Sequence, residues 1–261
     1  MYHSVTFGDK NSYEDWHLVP ESRPVIAMPE PKTITVDIPG RDGLLDLTEA
    51  VRKIPVYQNR KGSLKFHVLN DHEDWGILHQ KIANYLHGRR LEVRLEDEPE
   101  WYYIGRITMS SWTSNNDGTW SDIEFGYDLD PFKLYNWTTI NSGWLWDPFN
   151  FKTGFIIGER LKQIPVRSAS FETINLKGIV GRKPITPNFI VVSSDGIDIR
   201  LFNKELGLDI IKRNLKSGTY SWPEVMLSEA NSDNQIYVQY KKTFASGADS
   251  SLSIEYRMGS L

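Results

Sequence analysis

Apolar and polar residues alternate over short stretches of this chain, the period of a half-buried strand. An early example is Thr33-Ile34-Thr35-Val36-Asp37-Ile38, closed by Pro39-Gly40-Arg41-Asp42-Gly43. Pro pre-sets one turn angle and Gly admits positive φ, so the chain reverses there. Leu45, Leu47 and Leu64-Lys65-Phe66-His67-Val68 continue as further strands. Residues 33–69 therefore read as a strongly specified strand core. Shorter strands are predicted over 2–7 and 16–19.

One segment changes period. Trp75, Leu78, Ile82, Tyr85 and Leu86 recur at spacings of three and four, which predicts a helix over 73–87 with one apolar face. Asp71, Glu73 and Asp74 suit its N-terminus, Gly88 its end, and Arg89-Arg90 its last carbonyls. Residues 91–96 then alternate cleanly, Asp97-Glu98-Pro99-Glu100 turn the chain, and 101–112 return it. Residues 123–129 form another alternating strand, closed by Asp130-Pro131. The first half is thus α+β. The second half shows only short strands punctuated by Gly and Pro. Its clearest predicted hairpin pairs 189–192 with 197–201 through Asp195-Gly196. Late strands are expected over 235–240 and 252–256. Many short strands without a helix point to a β-sandwich. The fold class is therefore mainly β, with two domains, 1–133 and 134–261.

Length and charge agree with two units. The chain of 261 residues is long enough for two independent cores. Residues 1–133 hold 15 Lys and Arg against 22 Asp and Glu, a net −7; residues 134–261 hold 15 against 12, a net +3. The 9 Trp suit sheets or large interfaces, and the lack of Cys excludes disulfides and thiolate metal sites. The first residues carry no apolar signal region, and no run approaches the length of a membrane span.

Candidate chemistry is sparse. No phosphate-binding loop, dinucleotide fingerprint, nucleophile elbow or zinc-protease motif occurs. His72 and His79 sit seven apart on the predicted helix, with Glu73 and Asp74 nearby. Helix-borne metal pairs stand four apart, so a structural role is favoured. Asp128 and Asp130 share a strand face, as some metal sites require, but Pro131 marks a strand-ending turn. Glu92, Glu96, Asp97, Glu98 and Glu100 form an acidic cluster best read as a solvated hairpin tip. Asn136-Trp137-Thr138 fits a glycosylation sequon by pattern alone. Trp144, Trp146 and Trp222, with Tyr220, serve a sandwich core, a protein interface or a sugar-stacking platform, with core weighing most.

The order of N-terminal signals carries a resemblance. MYHSVTFGDKNSYEDWHLVPESRP is followed by VDIPGRDGLLDLTEA, PVYQNRKGSLKFHVL, a helix ending NYLHGRR, LEDEPEWYYIGRI and DIEFGYDLDPFK. This series resembles the N-terminal domain of siphophage distal tail proteins (Dit), and the ending SIEYRMGSL is typical of phages and prophages of Gram-positive bacteria. The likeness is most specific over 1–133. Over 134–261 the family carries a galectin-like β-sandwich. The resemblance implies a structural, non-enzymatic protein without cofactors or metal, resident at the virion tail tip after assembly in the host cytoplasm. It implies a homo-hexameric ring joining the major tail tube protein to a hub or tail-associated lysin. Outward C-terminal domains often carry receptor-binding proteins, and phage DNA passes through the channel. On this reading the acid excess of 1–133 partly lines the channel. The hairpin over 91–112, tipped by Asp97, Glu98, Pro99 and Glu100, is the expected inter-subunit contact. The alternatives are a carbohydrate-binding adhesin acting through Trp144, Trp146 or Trp222, and a hydrolase whose catalytic residues are dispersed in sequence.

Overall fold

The structure, a computed structural model, describes residues 3–50, 55–140, 161–176, 183–204, 207–227, 236–244 and 249–261. It is mainly β and divides into two compact units, residues 1–134 with Leu261, and residues 135–260.

The first unit contains β1 (Val5–Phe7), β2 (Lys10–Asn11), β3 (Leu18–Pro20), β4 (Thr35–Val36), β5 (Leu45–Asp46), β6 (Arg60–Val68), helix α1 (Trp75–Leu86), β7 (Arg90–Leu95), β8 (Trp101–Ser114) and β9 (Ser121–Leu129). Its main sheet runs β2-β1-β7-β8-β9-β6-β3, every neighbouring pair antiparallel. β9 is central, pairing β6 from Leu129 to Asp122 and β8 along its whole length. Its residues alternate between buried and half-buried without a break. Ile123, Phe125, Tyr127 and Leu129 therefore face one core, with Phe7, Trp16, Leu18, Leu64, Phe66, Val93 and Ile107. Aromatic edges fill its middle: Phe125 meets Phe7 and Phe66, each at 5.4 Å between ring centroids.

The predicted helix is present. A short 3-10 turn (His72–Asp74) precedes α1, which buries Trp75, Leu78, Ile82 and Leu86. Neither Asp71 nor Asp74 caps it through its side chain. Gly88 ends it at φ 74°, and Arg89 donates from Nη1 to the Tyr85 carbonyl at 3.0 Å. Tyr85 Oη donates to the Phe7 carbonyl at 2.9 Å and also pairs with Asp9, pinning the helix to β1.

The strand core expected over 33–69 is half right. β6 is core, but β4 and β5 form a two-stranded ribbon apart from the main sheet. Val36 faces Leu45, and Leu47 N donates to the Ile34 carbonyl at 2.8 Å. Alternation and turn chemistry form the ribbon, with Gly40 at φ 84°, yet Ile34, Val36, Ile38 and Leu47 on it stay exposed. The approach is proline-rich: Pro20, Pro24, Pro29 and Pro31 precede it, and Lys32 N to Val56 O at 2.7 Å closes its stem. Buried Arg60 ties the stem down, donating to Ala27 O and Pro131 O, each at 2.9 Å.

β10 (Lys133–Thr138) runs across the division of the two units. The second unit holds β11 (Ile164–Pro165), β12 (Glu172–Leu176), β13 (Asn188–Val192), β14 (Ile197–Asn203), β15 (Leu208–Leu215), β16 (Gly218–Ser221), β17 (Ile236–Lys242), β18 (Ser251–Glu255) and β19 (Arg257–Ser260). Two four-stranded sheets form, β11-β18-β13-β16 and β12-β17-β14-β15. Phe189, Val191, Leu252 and Ile254 are buried from the first, and Ile197, Ile199, Leu201, Ile236 and Val238 from the second, the burial of a β-sandwich. The expected hairpin across Asp195-Gly196 is not one, because β13 and β14 lie in different sheets. The turn forms, with Gly196 at φ 91° and its N–H on Ser193 Oγ at 2.9 Å, but it carries the chain from one sheet to the other. β14 pairs instead with β15 and β17.

Phe66 is fully buried against Phe7 and Phe125. Phe66→Ala should cost about 3–5 kcal/mol, the usual range for a large core ring. Urea unfolding followed by the first unit's tryptophan fluorescence measures it.

Candidate functional site

The predicted chemical groupings are dispersed by the fold. His72 packs edge-on against Trp75 at 4.9 Å, and His79 against Trp112 at 5.1 Å, so each imidazole serves packing. Among the described residues no group of three His, Asp or Glu is placed to hold a metal ion. Asp128 accepts from Asn59 Nδ2 at 2.6 Å, and Asp130 from Arg90 at 2.5 Å. No helix among the described residues is long and apolar enough to cross a membrane.

The acidic turn between β7 and β8 folds back on its own unit. Asp97 accepts from His3 Nδ1 at 2.9 Å and Arg23 Nε at 2.8 Å, and its side chain is only 13% exposed. Glu98 accepts from Lys133 Nζ at 3.1 Å and Tyr103 Oη at 3.3 Å. Glu96 accepts from the Ser4 N–H at 2.7 Å, and Glu92 pairs with Arg94. Pro99 and Glu100 complete the turn. Arg23 lies on the segment that leads towards the ribbon, so Asp97 is one of the groups fastening that segment. Trp144 and Trp146 lie outside the described residues. Trp222 is 8% exposed, tilted against Phe189 at 4.8 Å and stacked on Tyr220 at 6.2 Å.

The conspicuous unsatisfied surface is the ribbon. Ile34 and Val36 stand on the same face as Leu45 and Leu47 across the pairing. Thr33, Thr35, Asp37 and Asp46 alternate to the other face. Ile34 remains 59% exposed and Val36 42%, with Ile38 and Leu47 also exposed. An amphipathic ribbon with its apolar face in water is a candidate surface for a protein contact.

No family model and no curated protein matches the sequence. The crystal structure of the SPP1 Dit (gp 19.1) protein does match, at a TM-score of 0.56 and 12% identity, covering 99% of this chain and 100% of that one. That protein is described as a paradigm of the hub adsorption apparatus in phages infecting Gram-positive bacteria. This chain has the Dit fold. The resemblance read from residues 1–133 thus holds as shared architecture across both units. Sequence reasoning expected the inter-subunit contact at the acidic turn and read the ribbon as strand core, whereas the ribbon's apolar residues are exposed. The signal was present, since alternation promised a buried face and no neighbouring segment offered a cover.

Hydrogen bonding to His3, helped by Arg23, holds the Asp97 carboxyl below its ordinary 3.8. A lowered folded value favours the ionised form, so this stability is present above about pH 5 and lost as pH falls through the folded value. Asp97→Asn should therefore be less stable at neutral pH and flatter in Tm between pH 5 and 2. Thermal scans across that window test it.

Proposed function

We propose that this chain is a structural component of a phage tail tip. It assembles through the ribbon into a homo-hexameric ring at the distal end of the tail tube. The observation that carries this is the uncovered apolar face of β4 and β5, on a chain sharing the Dit fold over 99% of its length. A strand that alternates is built to be half buried, and a second copy supplies the missing cover. The ring then joins the tail tube protein on one side to the hub or tail-associated lysin on the other. The second unit is free to carry a receptor-binding protein.

The main sheet also presents a face suited to passing DNA. On its polar side Lys61, Lys65 and His67 of β6 face Asp128, Glu124 and Asp122 of β9. His67 Nδ1 is 2.6 Å from Asp122, and Lys61 Nζ is 3.9 Å from Asp128. Such a charge-balanced face holds a polyanion weakly, because phosphate binding grows with the uncompensated positive charge it meets.

Negative-stain microscopy and light scattering of the concentrated wild type should show six-fold rings. Val36→Asp should keep its fold and Tm within about 3 °C, as surface changes do, yet form no rings. Unaltered rings in Val36→Asp would exclude the ribbon as the contact.

A further inference from the structure

The bonds that tie the stem use only part of the Arg60 fork. Nε donates to Pro131 O and Nη1 to Ala27 O, and the Tyr103 ring centroid lies 5.3 Å from the guanidinium carbon. The residue is 1% exposed. Its Nη2 is buried and meets no hydrogen-bond acceptor among the described residues. Nor does Arg60 form an ion pair with an acid among them. The acid whose charge acts on it is Glu98, which Lys133 already engages at 3.1 Å and Tyr103 at 3.3 Å. Asp97 is likewise taken by His3 and Arg23. A buried cation with one nitrogen unmatched is costly to hold, and an acceptor that reaches it recovers that cost.

Arg60 borders a cavity of about 240 Å³. Pro24, Val25, Ile26 and Leu95 give it apolar walls, while Asp97 and Glu98 add acid. Leu261 also borders it, but the acid acting on Arg60 remains Glu98. The volume is below the roughly 300–1,000 Å³ of sites for drug-sized ligands, so the occupant has few heavy atoms. Charge narrows the class further. A cation meets Arg60, Arg23 and Lys133. A phosphate dianion wants more donors than the one nitrogen left over, and Asp97 and Glu98 repel it. A monoanion with an aliphatic body suits both the remaining N–H groups and the walls. Met28 governs entry: its sulfur lies 3.8 Å from Arg60 Nη1, yet the residue is 72% exposed. An unbranched, exposed methionine turns aside readily, which uncovers the guanidinium. We propose that this cavity binds a carboxylate carried on a short aliphatic body, with Arg60 Nη2 donating to it once Met28 has turned aside. The site is separate from the ribbon and stands or falls independently of the assembly reading. The same head group reaches it as a free small acid or as a glutamate side chain.

The test titrates full-length protein with sodium butyrate at constant ionic strength, followed by ligand-observed NMR. Saturable binding is expected with a Kd of about 1 mM or tighter, at least about 10-fold tighter than for butyramide, which has the same shape and no charge. N-acetyl-glutamate amide separates the two sources. Tighter binding than butyrate indicates a glutamate side chain as the natural ligand, and weaker binding a free small acid; both keep the carboxylate site. No saturable binding of either acid, or butyramide bound as well as butyrate, would overturn the proposal. Arg60→Met should abolish the binding. Because that variant removes a buried tie, a second one at exposed Met28 keeps the test decisive. Met28→Glu supplies a carboxylate from the chain itself, beside Arg60. At pH 7 it should melt higher than Met28→Gln, lose that gain on acidification below about pH 4, and no longer bind butyrate. A Met28→Glu protein that melts with Met28→Gln and still binds butyrate like the wild type would overturn the site.

Discussion

The register of β9 between β6 and β8 is what the first unit depends on. Both ladders run through the same alternating residues, so one choice of face places Ile123, Phe125, Tyr127 and Leu129 inward together. A slip of one residue would turn that set to water and bring Asp122, Glu124 and Asp128 into the core. The packing of Phe125 against Phe7 and Phe66 follows from this register, as does the helix laid over them. So does the position of β6, whose outer side is completed for only a third of its length.

The polar interactions around the ribbon serve a different end. Arg60 gives up hydration to hold Ala27 and Pro131, and Asp97 holds Arg23 from the opposite strand turn. These bonds add modestly to stability, since a net intramolecular hydrogen bond contributes about 1 kcal/mol. Their larger effect is positional. They fasten the segment that leads into the ribbon at two points, while Ile34, Val36, Ile38 and Leu47 of the ribbon itself stay exposed.

Elements whose reasons are local were legible in the sequence. The alternation of 123–129 specified β9, the three-and-four spacing of Trp75, Leu78, Ile82 and Leu86 specified the helix, and Gly88 its end. Elements whose reasons are distant were not. Asp97 and Glu98 looked like solvated tip charges because their partners, His3, Arg23 and Lys133, stand 94, 74 and 35 residues away. Asp195-Gly196 encoded a reversal, but nothing in a two-residue turn states which sheet the next strand joins. The ribbon is the intermediate case: the period of Ile34, Val36 and Ile38 states that a face is to be covered, and it is silent on whose surface covers it.

In the proposed ring, the four prolines before the ribbon bear on size rather than strength. Proline fixes one backbone angle, and the residue before it is restricted as well. Pro20, Pro24, Pro29 and Pro31 therefore give the approach to the ribbon little freedom to swing. In a head-to-tail assembly each copy adds one rotation, and the number of copies is the number of rotations that make a full circle. On that view the stem is an angular gauge: its stiffness chooses how many chains meet before the last one finds the first, and loosening it would widen the range of circles rather than weaken any one joint.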